Sequence, residues 1–173
     1  DLSVRAAGTG YALTASSTGL TDATSDTFSV SPAGPDASTS DVAADPTSLA
    51  AGGTSALTAT VRDAFGNPVP GATVAFEATG TGNTISSPSA TDASGAAVGT
   101  LSSTKAEAKT VTAKIGALAL TDQPIVTFTA GAHDPARSSL VASPTSAPDD
   151  GTQIALTVTV RDAYGNPVVG ETV

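Results

Sequence analysis

The residues able to do acid–base, nucleophilic or metal chemistry are sparse. The chain of 173 residues has one histidine, no cysteine, sixteen Asp and Glu, and seven Lys and Arg. His133 stands in AGAHDPARSS (Ala130–Ser139), beside Asp134 and Pro135. A Ser–His–Asp or Cys–His relay needs a buried, oriented base, and a flexible joint offers none. Zinc needs several Cys or His ligands. Gly80–Asn83 is the nearest text to a phosphate-binding loop, but it reads as a turn in an all-β context. The expectation is a protein that is not an enzyme, with no catalytic, cofactor-binding or metal-binding residues. Calcium is the one inorganic ligand to weigh, because it takes roughly six to eight oxygens from carboxylates and carbonyls. Asp41, Asp45, Asp63, Asp92, Asp134, Asp149 and Asp150 supply carboxylates, but in no segment with the spaced acids of a calcium loop. An ion stiffening a joint stays open beside the reading of these residues as turn formers. Phe65 and Tyr164 occupy equivalent turn positions. Exposed, they could stack on a sugar or contact a protein; folded back, they cover the end of a sandwich.

What must position these residues is read from period and punctuation. Alternation of period two recurs, with one dry and one wet face per segment. Leu57, Ala59 and Val61 form one inner set, and Ala72, Val74, Phe76 and Ala78 a second. Val111, Ala113 and Ile115, then Val126, Phe128 and Ala130, form two more; Ala97, Gly99 and Leu101 form a weaker fifth. Such alternation marks antiparallel sheets covered on one side. RDAFGNPV (Arg62–Val69), TDASG (Thr91–Gly95) and KIGAL (Lys114–Leu118) separate the runs as turns, and Asp63 is placed to accept local backbone N–H bonds. Six to eight short strands in about 98 residues signify a β-sandwich. The core is built from Ala, Val, Thr and Leu, with 3% aromatics and no Trp.

The chain also repeats. Ala56–Val74 returns as Ala155–Val173 at an offset of 99 residues, with 15 of 19 positions identical. A repeat of that length is a whole domain and not a solenoid unit. The copy stops at Val173, so the chain is expected to be a window on a longer tandem array. Residues 1–34 read as the closing strands of a preceding domain, 39–131 as one complete domain and 137–173 as the opening strands of a following one. Ser31–Ser40 and Ala130–Ser139 are Pro-bearing joints, and the joints correspond through VAADPTS (Val42–Ser48) and VASPTS (Val141–Ser146), which are read as part of them. The flanking strands are expected to leave open edges.

DPTSLAAGGTSALTATVRDAFGNPVPGATVAF (Asp45–Phe76), GTGNTI (Gly80–Ile85), TDASGAAVGTLSST (Thr91–Thr104) and KTVTAKIGALAL (Lys109–Leu120) together resemble the bacterial immunoglobulin-like group 1 repeats of the invasin/intimin family of surface proteins. The resemblance spans the middle period and the C-terminal copy. It implies tandem immunoglobulin-like sandwiches in an extracellular rod displayed from a bacterial surface or anchored at the outer membrane. GTGYALTASS (Gly8–Ser17) resembles instead the tyrosine corner of general immunoglobulin-like domains. Tyr11 would then bond back to the corner backbone, with Leu13 pointing inward; the alternative is an ordinary edge aromatic.

The net charge of −9 argues against nucleic acid and against an anionic membrane, both of which need concentrated Lys and Arg. No stretch approaches the ~20 apolar residues of a spanning helix. The expected role is a non-catalytic spacer or stalk repeat of a cell-surface or secreted adhesin-like protein. Its partners are neighbouring repeats of the same chain, and any host or surface ligand is unidentified. The alternatives are a glycan- or protein-binding module, or an accessory module of a secreted polysaccharide-degrading enzyme.

Overall fold

The computed structural model describes residues 2–86 and 90–172; Val173, the last residue of the second copy, lies outside them. Among the described residues there are fifteen strands and no helix. Thr, Gly and Pro recur too often for a helix to propagate, and the alternating runs suit a half-buried pleat.

Residues 2–30 carry four short strands: β1 (Gly8–Tyr11), β2 (Thr14–Ala15), β3 (Ala23–Thr24) and β4 (Phe28–Val30). β1 pairs with β4 across a register shift, and β2 with β3. The Tyr11 hydroxyl donates to the carbonyl of Ala6 (3.1 Å) and its ring lies 5.8 Å from that of Phe28. That backward bond is the tyrosine-corner geometry. Leu13 is 47% exposed, so it does not take the inward position expected of it.

The sandwich lies between Asp41 and Thr129. One sheet runs β5 (Asp41–Asp45), β7 (Thr54–Thr60), β10 (Ala96–Ser103) and β9 (Asn83–Ser86), in that spatial order. The other centres on β11 (Ala108–Ile115). β11 pairs with β8 (Ala75–Ala78) on one side, and with β13 (Ile125–Thr129) and the short β12 (Leu118–Ala119). β6 (Ser48–Ala50) closes the edge, parallel to β13. All five expected inner sets face the interior. Leu57, Val61, Leu101, Val111, Val126 and Phe128 are buried, while Ala72, Ala78, Ile115 and Ala130 are half-buried at the margins. The turns also form as expected: Asp92 accepts from the amides of Ser94 and Ala96, and Gly116 (φ +61°) closes the β11–β12 hairpin.

Two expectations are corrected. VAADPTS is not a joint: Val42 is 5% exposed and belongs to the core, on β5. The chain leaves one sheet after Asp45 and enters the other at Ser48, and the Pro at position 46 gives this sheet change the look of a linker. That division of the first strand, together with β12, raises the strand number from the expected six to eight to nine among the described residues between Asp41 and Thr129.

Beyond the sandwich, β14 (Ser139–Ser143) pairs, among the described residues, only with β15 (Ala155–Thr159). Leu140 and Leu156 are 65% and 66% exposed on this hairpin. The flanking strands pair among themselves and not with each other across the molecule.

The inward–outward assignment has a direct check. Leu57→Ala should lower the unfolding free energy by about 2–5 kcal/mol, as buried leucine truncations do. Val98→Ala, on the outer face of β10, should change it by no more than about 0.5 kcal/mol. Urea titration measures both, and equal effects would contradict the assignment.

Candidate functional site

The DAxGNPV turns do more than connect strands. Each brings a buried carboxylate and an amide to the seam where flanking strands meet a neighbouring sheet. Asp63 and Asp162 are 0% and 1% exposed. Burying a carboxylate is costly unless hydrogen bonds compensate it, and here N–H donors surround it. Asp63 Oδ1 accepts from the amides of Phe65 and Asn67, both at 2.9 Å. Its Oδ2 accepts from Asn67 Nδ2 and from the amide of Ala33 in the joint, also both at 2.9 Å. Asp162 repeats the arrangement with Tyr164, Asn166 and Gly131. Burial alone would raise the pKa of Asp63, but the Asn67 side chain and the amides of Ala33, Asn67 and Phe65 outweigh it and hold it to about 2. Asp162 is held to about 2 against the same burial by Asn166 and the amides of Gly131, Asn166 and Tyr164.

The asparagine carries the contact across the seam. Asn67 Oδ1 accepts from the amide of Ala7 (2.9 Å), and its Nδ2 donates to the carbonyl of Arg5 (2.7 Å). At the second seam Asn166 Oδ1 accepts from the amide of Ala106 (3.0 Å), and its Nδ2 donates to the carbonyl of Thr104 (2.9 Å). The separations are identical, 60 and 62 residues at each seam. Only an amide side chain of this length accepts and donates to one strand start while also donating to the aspartate.

The joints themselves are tied down. Asp36 donates its amide to the carbonyl of Arg62 (2.8 Å), and Asp134 to that of Arg161 (2.7 Å). Ser40 Oγ caps the amide of Arg62 (2.9 Å), and Ser138 Oγ that of Arg161 (3.1 Å). Arg62 Nη1 then donates to the carbonyl of Gly66 (2.9 Å) and Arg161 Nη1 to that of Gly165 (2.7 Å), closing each turn.

Both aromatics of interest sit at these seams. Phe65 is 56% exposed, with the Arg5 guanidinium carbon 5.5 Å from its ring centroid. Tyr164 is 45% exposed and lies over Gly52, where φ is +89° and a side chain would collide with the tyrosine hydroxyl. His133 is in the joint as expected, its side chain 58% exposed and its Nδ1 3.6 Å from Glu171 Oε1. Among the described residues, no group of three or more His, Cys, Asp and Glu is placed to hold a metal ion. Asp92 and Asp150 accept local amides, and Asp134 accepts from Ala136. Asp122 hydrogen-bonds Asp41 and lifts its pKa above the ordinary value.

The sequence identified the turn and the Asx role of Asp63. It did not reveal the cross-seam bonds of Asn67 and Asn166. The one available signal was the return of Asp and Asn together, four residues apart, in both copies.

Because both carboxylates have a folded pKa below their ordinary 3.8, the stability they add is present above pH ~4 and is lost as the pH falls through about 2. Asp162→Asn should therefore flatten the fall in melting temperature between pH ~4 and ~2. Thermal melts across that range test this, and an acid limb identical to that of the parent chain would contradict it.

Residues 39–129 match the family described as bacterial Ig-like domain (group 1). The Escherichia coli adhesin FdeC is 31% identical over 83% of the chain and 47% of its own solved structure, with a TM-score of 0.65. Invasin, described as a bacterial integrin-binding protein, is 30% identical over 96% of the chain and 34% of its structure, with a TM-score of 0.68. Yersinia pseudotuberculosis InvD shares the fold at 18% identity, with a TM-score of 0.66 over 94% of the chain and 59% of its structure. No functionally curated protein matches. The chain thus spans between a third and three fifths of these three solved structures. With its two-sheet immunoglobulin-like sandwich and a match over more than half its length, the chain belongs to the bacterial Ig-like domain (group 1) family.

Proposed function

We propose that the chain is a non-catalytic spacer of a bacterial surface or secreted adhesin-like protein, in which immunoglobulin-like repeats are joined at fixed seams. Residues 1–34 then close a preceding repeat and 137–173 open a following one. The observation that carries this reading is the duplicated Asp–Asn clasp, with the same bonds at the same separations. A segment whose most elaborate polar network ties one sheet to its neighbour is organised to transmit position and load. At ~3.3 Å per residue the longest strands, β10 and β11, run about 26 Å, and with the turns at both ends each repeat is about 30–40 Å long. The likeness to FdeC and invasin supports a place outside the cell, where a stalk would hold a distal binder away from the surface.

Insertion of further copies of residues 39–131 into the surface-displayed parent protein should extend the distal end by about 30–40 Å per copy and leave ligand capture per molecule unchanged. Atomic force imaging and a binding titration read the two quantities. The competing reading, a binding module using its turn aromatics, draws on the exposure of Phe65 and Tyr164. Loss of capture on Phe65→Ser and Tyr164→Ser, with reach unchanged, would replace the spacer reading by that one.

On this reading the seams are held by hydrogen bonds without a divalent cation. Asp63 and Asp162 face N–H donors on both carboxylate oxygens, which is the opposite of what a cation recruits. Calcium added to the chain should produce no heat in titration calorimetry and no change in melting temperature. Saturable heat with a raised melting temperature would show an ion at a joint.

A further inference from the structure

Lys109 is unusual for a spacer: it lies at an inward position of β11 and is 0% exposed. Buried lysines need partners. Its Nζ donates to the carbonyl of Thr81 (2.6 Å) and ion-pairs with Glu107. Glu107 Oε1 in turn accepts the amide of Thr81 (3.0 Å). Ser103 Oγ accepts from the amide of Lys105 (3.1 Å). The two loops at this end of the sandwich, around Thr81 and around Lys105, are thereby locked to each other. The second of them, Thr104–Ala106, presents the carbonyl and amide taken by Asn166. At the first seam the corresponding loop is Arg5–Ala7, braced by the Tyr11 hydroxyl on the carbonyl of Ala6. Different braces thus hold loops of different sequence, Arg-Ala-Ala and Thr-Lys-Ala, in one hydrogen-bonding pose.

We infer that Lys109, through Glu107, shapes Thr104–Ala106 into a main-chain docking surface that accepts the Asp–Asn turn of a following repeat whatever side chains the loop carries. Both bonds of the asparagine at each seam go to backbone atoms, so they select for the partner's turn and not for a loop sequence; the first seam adds one side-chain contact, the Arg5 guanidinium over the Phe65 ring. Lys109 acts as a positioning residue, touching neither Asn166 nor Asp162 in any hydrogen bond of the structure. The inference rests on reading the chain as an array of repeats, but it is tested at one seam and does not depend on what the array does.

The test is amide hydrogen exchange of the whole chain, read at Ala106, with Leu57 and Leu101 as core controls. Asn166→Leu should speed exchange at Ala106 about tenfold or more, the range expected when a bond worth ~1.4 kcal/mol or more is lost. Lys109→Met should do the same with the controls unchanged. The double variant should be no faster than the faster single one, because both act on one contact. Glu107→Gln, at a partly exposed position, should give a smaller increase in the same place. Thr104→Arg with Lys105→Ala, which transplants the side chains of the first loop, should leave Ala106 protected. The inference is overturned if Lys109→Met and Glu107→Gln both leave Ala106 as slow as in the parent chain. Independent addition of the Lys109 and Asn166 effects, or opening of the seam by the transplanted loop, would equally overturn it. The reach measurement on the displayed protein can fail with all of these intact, so the two ideas fall separately.

Discussion

A carboxylate taken out of water and surrounded by N–H groups is the constraint on which the rest of this structure depends. Asp63 and Asp162 are nearly inaccessible, and each gathers its own turn, the joint before it and an asparagine onto two oxygen atoms. A buried carboxylate left short of donors would be expensive, so these groups must come together or the site is lost. This requirement converts a local turn into a connection between sheets. The joint backbone cannot drift while Ala33 and Gly131 each donate to a buried anion.

The consequence reaches well beyond the turn. Asn67 and Asn166 hand the constraint on to strand starts 60 residues upstream, where the loops are themselves braced by Tyr11 in one case and by Lys109 with Glu107 in the other. The joints are therefore held by these hydrogen bonds as well as by Pro32, Pro35 and Pro135, which narrow the backbone freedom of each. The core of Leu, Val and Ala with Phe76 and Phe128 supplies the hydrophobic stability of the sandwich, while the polar seams tie it to the flanking strands.

Much of the fold was legible because alternation of period two survives in a small-residue core. Leu57, Ala59 and Val61, or Val126 and Phe128, alternate too regularly to be helical, and their burial follows from the pleat alone. Val42 was misplaced because a five-residue strand followed by Pro46 has the composition of a linker; its pairing with Ala59 is a long-range fact no local pattern encodes. Tyr11 was legible as a corner from its neighbours, but Leu13 was wrongly placed inward, since its exposure depends on how short strands flank it. The candidate site was half legible. Asp63 in an Asx turn is local chemistry, whereas the bonds of Asn67 to Arg5 and Ala7 join residues whose proximity only the assembled sheets create. Lys109 shares the inward face with Val111 and Ala113, so register implies its burial, but the inner set read from apolar residues begins only at Val111.

The central claim is that the flanking strands and the sandwich move as one body across both seams. Residual dipolar couplings of backbone amides in weakly aligned solution test it most directly, because they report orientation for each group of strands separately. The account predicts that one alignment tensor fits β1–β4, the β5–β13 sandwich and β14–β15 together. Tensors of markedly different magnitude for the flanks and the sandwich would show that the seams are hinges and would contradict it.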